Sequence, residues 1–221
     1  MGIVHSYVER NSNKIHVFHN TTTVAISTTT TTTATTAPEQ LILITGGRAG
    51  IIERLASTEV YPEIKTCSTP SLPKKTSDHA LFMTAGTTPR VAYCGGYNND
   101  KKNNGYTIHK YLDSCVVWDS NNQRWDEHMM GPLPQKRIHH SVVTFENIGV
   151  YVIGGDGSKN SWSTSDFLPA NSLQWTRGPE LPKDVSTSSS RGCAVSVSNI
   201  SFIYIHNGII REYKIDNANP T

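Results

Sequence analysis

Three stretches of the chain end alike. LILITGG (41–47), RVAYCGG (90–96) and VYVIGG (150–155) each run an apolar segment into a glycine pair. A fourth, FIYIHNG (202–208), keeps one glycine and carries Asn207 in place of the other. The second glycines fall at 47, 96 and 155, with Gly208 after them, a spacing of about 50 residues. That period is long for a helical repeat and suits a unit made of a small sheet. Short runs rich in Val, Ile, Tyr and Leu alternate with Gly, Pro, Asn and Ser clusters from residue 38 onward, which is an all-β rhythm. The one stretch with a helical look is IIERLASTEV (51–60), long enough for two turns.

More of the unit aligns behind each glycine pair. In the second copy CVVWDSNNQRW places Trp118 and Trp125 seven positions apart across a polar turn, and GPLPQKRIHHSVVTFEN leads into the next glycine strand. In the third copy FLPANSLQW ends at Trp175, followed by GPELP, Arg191 and CAVSVSN. The first copy carries Tyr61 where the second has Trp118, has Cys67 one position short of the expected Trp, and continues SLPKKTSDHALFMT. The fourth reaches Tyr213 before the chain ends.

These residues resemble the Kelch repeat over about residues 40–221, with VYVIGG, the aromatic–six–Trp spacing and PLPQKRIHHSVV as the signature. The resemblance implies an all-β fold, a Kelch-type β-propeller whose blades are twisted four-stranded antiparallel sheets with interaction loops on the faces. Only about three to four blades fit in this chain, whereas propellers close with four to eight. The expected domain is therefore a partial propeller at 38–221. Its unclosed edge would be met by a natural chain continuing past Thr221, by two chains self-associating, or would reflect a partial gene model. The first copy departs from the pattern: it lacks the Trp and has Thr76 at the position of Arg137.

Each recurring residue has a physical task. Gly46 and Gly47, Gly95 and Gly96, and Gly154 and Gly155 end strands where backbones approach closely and the next turn needs positive φ. Trp125 and Trp175 offer large apolar faces to fill the space between units, each with an indole N–H that seeks an acceptor. Arg137 and Arg191 are expected to hydrogen-bond loop carbonyls within the unit. Alone, TGGRAGI could open a dinucleotide-binding βαβ unit. No acidic residue stands at a strand end about 20 residues on, where a ribose contact belongs. The same pair also recurs after RVAYC and VYVI, so repeat punctuation explains it better.

Residues 1–37 are read as a separate, disordered Thr-rich segment, since TTTVAISTTTTTTATTA (21–37) has few large apolar side chains to offset the entropy of ordering. A Ser/Thr-dense spacer also suits O-glycosylation, and Asn20 and Asn199 head N-glycosylation sequons. The net charge is +2, and the basic clusters are no longer than Lys74-Lys75 and Lys101-Lys102, so nucleic acid is not an expected partner. No apolar run approaches the roughly 20 residues of a membrane-spanning helix, and no signal peptide is seen. The compartment stays open between extracellular and cytoplasmic. Cys67, Cys94 and Cys115 are candidates for one disulfide, with buried free thiols as the alternative.

No catalytic constellation emerges, and neither a cofactor nor a metal site is expected. There is no C-x-x-C and no G-x-S-x-G. His139 and His140 would point to opposite faces of a strand, and His140 matches His79 as a structural position. The leading expectation is a non-catalytic protein–protein interaction scaffold. Its binding surface would be the loops after the glycine pairs, with Arg48, Tyr97, Lys102, Tyr106 and Trp162 as contact candidates. The Kelch resemblance also admits a ubiquitin-ligase substrate adaptor or an actin-associated scaffold. From another class it admits a carbohydrate-active or copper-oxidase-like enzyme.

Overall fold

The computed structural model describes residues 6–11, 14–19, 22–27, 40–49, 53–61, 70–101, 107–157, 163–181, 192–206 and 209–215. Over these residues the fold is all-β, with small antiparallel sheets and no α-helix. The strands β1 (Ser6–Asn11) and β2 (Lys14–His19) form a hairpin. A three-stranded sheet follows from β3 (Thr22–Ser27) and β4 (Gln40–Thr45), then, past the two-residue strands β5 (Arg48–Ala49) and β6 (Glu53–Arg54), β7 (Thr58–Tyr61). The second sheet comprises β8 (Ala80–Met83), β9 (Val91–Cys94), β12 (Cys115–Asp119) and β13 (Arg124–Asp126); β10 (Tyr97–Lys101) and β11 (Thr107–Tyr111) make a hairpin between β9 and β12. The short β14 (Arg137–Ile138) precedes the third sheet, built from β15 (Ser141–Phe145), β16 (Gly149–Ile153), β18 (Thr164–Pro169) and β19 (Thr176–Glu180), and pairs with β17 (Asp156–Gly157). The last sheet is β20 (Cys193–Ser198), β21 (Ser201–His206) and β22 (Ile209–Lys214).

Within every one of the four main sheets, strand order in space follows strand order in sequence. The first strand of each sheet lies beside the first strand of the next: β3 against β8, β8 against β15, β15 against β20. Successive sheets therefore face one another, and each inner sheet is buried on both sides. This is why the strands read as nearly unbroken apolar runs: in SVVTF, Val142 packs toward the second sheet and Val143 toward the fourth.

Three apolar layers result. The first joins Leu43 and Ala56 to Leu81, Tyr93, Val116 and Trp125. The second joins Phe82, Ala92, Cys94, Cys115 and Val117 to Val142, Val150, Val152, Leu168 and Trp175. The third joins Val143, Tyr151, Ile153 and Phe167 to Ala194, Phe202 and Tyr204. The tryptophans repeat a task. Trp125 meets Tyr93 at 5.6 Å and Trp118 at 5.5 Å and donates its indole N–H to the Pro70 carbonyl, 3.2 Å away. Trp175 meets Phe82 edge-on at 5.9 Å, and its N–H has no acceptor among the described residues.

Two expectations change. The segment 1–37, expected to be disordered, supplies β1, β2 and β3, and β3 belongs to the first sheet, so the expected boundary at residue 38 falls within that sheet. Thr, Val and Ile in TTVAIS favour extended backbone, and β4 offers the ladder partner that an isolated segment lacks. The stretch IIERLASTEV is not helical where described: Glu53–Arg54 and Thr58–Tyr61 are strands, because pairing with Arg48–Ala49 and with β4 outweighs weak local helical preference.

The glycine pairs hold the sheets in sequence. All six glycines have φ between +60° and +106°. The first N–H of each pair bonds across its own sheet, Gly46 to Ser57, Gly95 to Ser114 and Gly154 to Thr164. The second reaches the connector leading to the next sheet: Gly47 donates to the Thr76 carbonyl at 3.0 Å and Gly96 to the Arg137 carbonyl at 2.8 Å. Leu72, Leu133 and Leu181, each preceding a proline, repeat a further tie by donating to Ala56, Asp113 and Ser163. At Gly96 (φ +98°) a Cβ would stand 2.7 Å from Thr76 Oγ1 and 2.8 Å from the Ser77 carbonyl. Gly96→Ala should therefore cost about 2–3 kcal/mol or more in urea unfolding. Gly131→Ala should cost far less, because its new methyl meets only the movable end of Gln174.

Candidate functional site

The edge of the sheets that carries the glycine pairs also carries most of the buried polar chemistry. Arg137, in the connector ahead of the third sheet, is fully buried. Its Nε donates to Asp166 Oδ2 at 2.8 Å, Nη1 to the carbonyls of Gly154 (2.7 Å) and Thr164 (3.1 Å), and Nη2 to Thr164 Oγ1 at 2.7 Å. Its own carbonyl receives the Gly96 N–H. One residue thus fastens the second sheet through its backbone and the third through its guanidinium. Burial pushes the Asp166 carboxyl up and the Arg137 guanidinium down, and their mutual contact opposes both shifts.

His79 and His140 occupy equivalent wedges. A Cβ on Gly46 would come within 2.8 Å of His79 Cε1, and one on Gly96 within 2.9 Å of His79 Cβ. A Cβ on Gly95 or Gly155 would meet His140 at 2.7 Å and 2.8 Å. Each imidazole therefore fills the space between the glycine pairs of two consecutive sheets. His79 Nε2 shares a 2.8 Å hydrogen bond with Thr45 Oγ1. Burial lowers His79 to about 4, partly offset by Asp78, and lowers His140 to about 3, with Arg137 adding to the shift. Both are neutral packing groups at pH 7.

One residue earlier in each connector, Asp78 (φ +58°) and His139 (φ +54°) turn the other way. His139 Nε2 lies 3.2 Å from Asp78 Oδ1 and Nδ1 lies 3.5 Å from Asp156 Oδ2, so the ring spans carboxylates of two successive units. Ser77 Oγ donates to Asp78 Oδ2 at 2.7 Å. His139 and His140 do point apart, but they lie outside any strand, and the positive-φ bend at His139 separates them where strand alternation was expected to. No group of three or more His, Cys, Asp or Glu side chains among the described residues is arranged to hold a metal ion.

Beyond the glycine pairs, two of the three expected loops are hairpins. β5–β6 follows Gly47, and β10–β11 follows Gly96. Tyr97 begins the second hairpin: its backbone exchanges hydrogen bonds with Ser77, and its ring lies 5.8 Å from that of its cross-strand partner Tyr111. The Arg54 guanidinium, from the first hairpin, sits 4.8 Å over the Tyr97 ring, a cation–π contact that joins the two insertions. Tyr97 is half-buried, whereas Tyr111 is 42% exposed.

Of the five contact candidates, only Tyr97 has its side chain placed. Arg48 lies in β5 with its side chain outside the described residues, and Lys102, Tyr106 and Trp162 lie outside them altogether, as do Cys67 and Asn20. Asn199 is exposed in the turn between β20 and β21. Cys94 and Cys115 form a disulfide; they are cross-strand partners on β9 and β12, with Cα atoms 4.1 Å apart, and both are buried. Sequence reasoning missed Arg54 and Tyr111. Its available signal was position, since both lie in segments returning from a glycine pair. The chain matches no family model and no curated protein. No helix among the described residues is long and apolar enough to cross a membrane.

The buried groups lead to two measurable outcomes. Arg137→Leu strands Asp166 without its cation and should cost about 3–5 kcal/mol in urea unfolding, and Arg137→Lys should recover little because one ammonium cannot serve acceptors spread around the guanidinium plane. For the histidines the folded values lie below the unfolded value of about 6.5, so the unfolded chain binds more protons between these limits. Their contribution is complete above about pH 6.5. It falls by up to about 1.4 kcal/mol per histidine per pH unit down to the folded values. Urea midpoints between pH 7 and 4 should decline accordingly, and His140→Asn should flatten that slope.

Proposed function

We propose that the chain is a Kelch-type β-propeller segment acting as a non-catalytic protein-interaction scaffold, with the hairpins beyond the glycine pairs as its binding surface. Four sheets in sequence order, first strands side by side and glycine-pair ties at the first two steps all support the propeller reading. The observation that carries the functional reading is the joined pair of hairpins, in which the exposed Tyr111 packs beside the half-buried Tyr97, with the buried Arg54 guanidinium holding the Tyr97 ring from beneath. Tyr and Arg are the side chains that concentrate binding energy at protein interfaces, since each combines apolar area with a hydrogen-bonding end. The cluster is positioned by ladder pairing and by the Ser77–Tyr97 backbone bonds, so little ordering entropy is lost when a partner docks.

The second hairpin also carries the exposed Lys110 next to Tyr111 in sequence. A protein partner with an exposed apolar anchor for Tyr111 and a carboxylate for Lys110 suits this arrangement. The test compares proteins retained by the immobilised wild-type chain with those retained by Tyr111→Ala and by a variant whose residues 100–107 are Gly/Ser. Both variants should unfold at the wild-type urea midpoint, and the captured partner should bind at least about tenfold more weakly. Undiminished capture by both would refute the assignment of this surface.

A further inference from the structure

The turn between β20 and β21 carries chemistry that neither the sheets nor the hairpins use. Ser198 and Ser201 are cross-strand partners, so Asn199 and Ile200 alone make the turn. Ser198 Oγ and Ser201 Oγ share a 2.8 Å hydrogen bond, and the Ile200 N–H donates to Ser198 Oγ at 3.2 Å. These contacts hold the turn from inside. Asn199 is left exposed, and its side-chain amide makes no hydrogen bond among the described residues. The exposure goes with this position in a sheet rather than with the sheet's place in the stack. The corresponding turn of the second sheet exposes residues 87–89, and that of the third exposes Glu146 and Asn147, although both of those sheets are covered on both faces.

We propose that Asn199 is an N-glycosylation site, filled as the chain passes through a disulfide-forming secretory compartment. Two independent observations converge on it. Asn199-Ile200-Ser201 supplies the acceptor amide, a middle residue other than proline and the hydroxyl two positions on. In the second sheet, Cys94 and Cys115 are joined as a buried disulfide, a bond that persists where thiols are not kept reduced, which is also where N-glycans are attached. In the transfer, Asn199 Nδ2 attacks the anomeric carbon of a lipid-linked oligosaccharyl pyrophosphate. A C–N bond forms, the anomeric C–O bond breaks, the lipid pyrophosphate leaves and Nδ2 gives up one proton. Ser201 is only 4% exposed in the folded sheet, so transfer comes before the β20–β21 hairpin closes. The sugar then stands clear of the binding surface. Ser141 Oγ donates to the Gly192 carbonyl, which sets the start of β20 beside the start of β15, at the glycine-pair edge. Asn199 lies one strand length away from that edge, about 20 Å along the six residues of β21. Tyr97 and Tyr111 leave from the glycine-pair edge, so the glycan occupies the opposite end of the stack.

Peptide mapping tests the site. Trypsin releases residues 192–211 as one peptide. Protein isolated from its natural source and treated with a peptide N-glycosidase in heavy-oxygen water should yield this peptide with a heavy aspartate at position 199. Without the glycosidase, the unmodified peptide should be depleted several-fold. Fragment ions separate the label from spontaneous deamidation at Asn207-Gly208 in the same peptide. When the natural gene is expressed in secretory cells, Ser201→Ala should abolish the label although Asn199 remains, and Ser201→Thr should keep it. The peptides are taken from whole cells, so the readout holds even where a variant fails to fold. Recovery of the natural protein's peptide with Asn199 wholly unmodified would overturn the inference, as would a label that survives Ser201→Ala.

Discussion

The architecture depends on one hydrogen bond made repeatedly: the N–H of the second glycine of a pair donating to a carbonyl in the connector that leads to the next sheet. Sheets that face each other only through apolar side chains can slide, because dispersion and burial are weakly directional. A backbone bond at 2.8–3.0 Å between adjacent units removes that freedom at one edge. It needs positive φ and leaves no room for a Cβ at Gly96, so the glycines are fixed by geometry. The imidazoles of His79 and His140 then fill what the glycines leave open, and Arg137 draws the following sheet to the same point.

This division of labour separates stability from binding. Close to the sheets, polar groups turn inward and are consumed by one another, as Arg137 is by Asp166, Gly154 and Thr164. Farther out, past the glycine pairs, the chain forms two-stranded hairpins, and Tyr111 and Lys110 of the longer one reach solvent. Asp78, His139 and Asp156 lie at the border, where the His139 ring sits between carboxylates of successive units.

Much of the sheet architecture was legible in the sequence because it repeats. LILITGG, RVAYCGG and VYVIGG each became a second strand ending in a positive-φ pair, and Trp125 and Trp175 became wedges between sheets. What repeats only weakly was less legible. Thr22–Ser27 has the composition of a linker, and its strand depends on β4, which lies across a gap in sequence that local propensity cannot see. The cluster of Arg54, Tyr97 and Tyr111 was legible only through Tyr97, because it joins insertions from different units and no spacing rule relates them. The Cys94–Cys115 pairing stood among open alternatives until the register of β9 and β12 placed the two residues opposite each other.

That disulfide sits at the neck of the longer hairpin. It links residues that are 21 apart in sequence, and everything between them is Gly95–Gly96, the hairpin and its return to β12. The insertion is thus a side loop with its base stapled shut inside the apolar layer. Closing a longer loop adds only slowly to the entropic cost once its ends are held. Length and composition beyond Tyr97 and Tyr111 are therefore decoupled from the sheet beneath, leaving a position where new recognition surfaces can be grafted while the underlying stack remains unchanged.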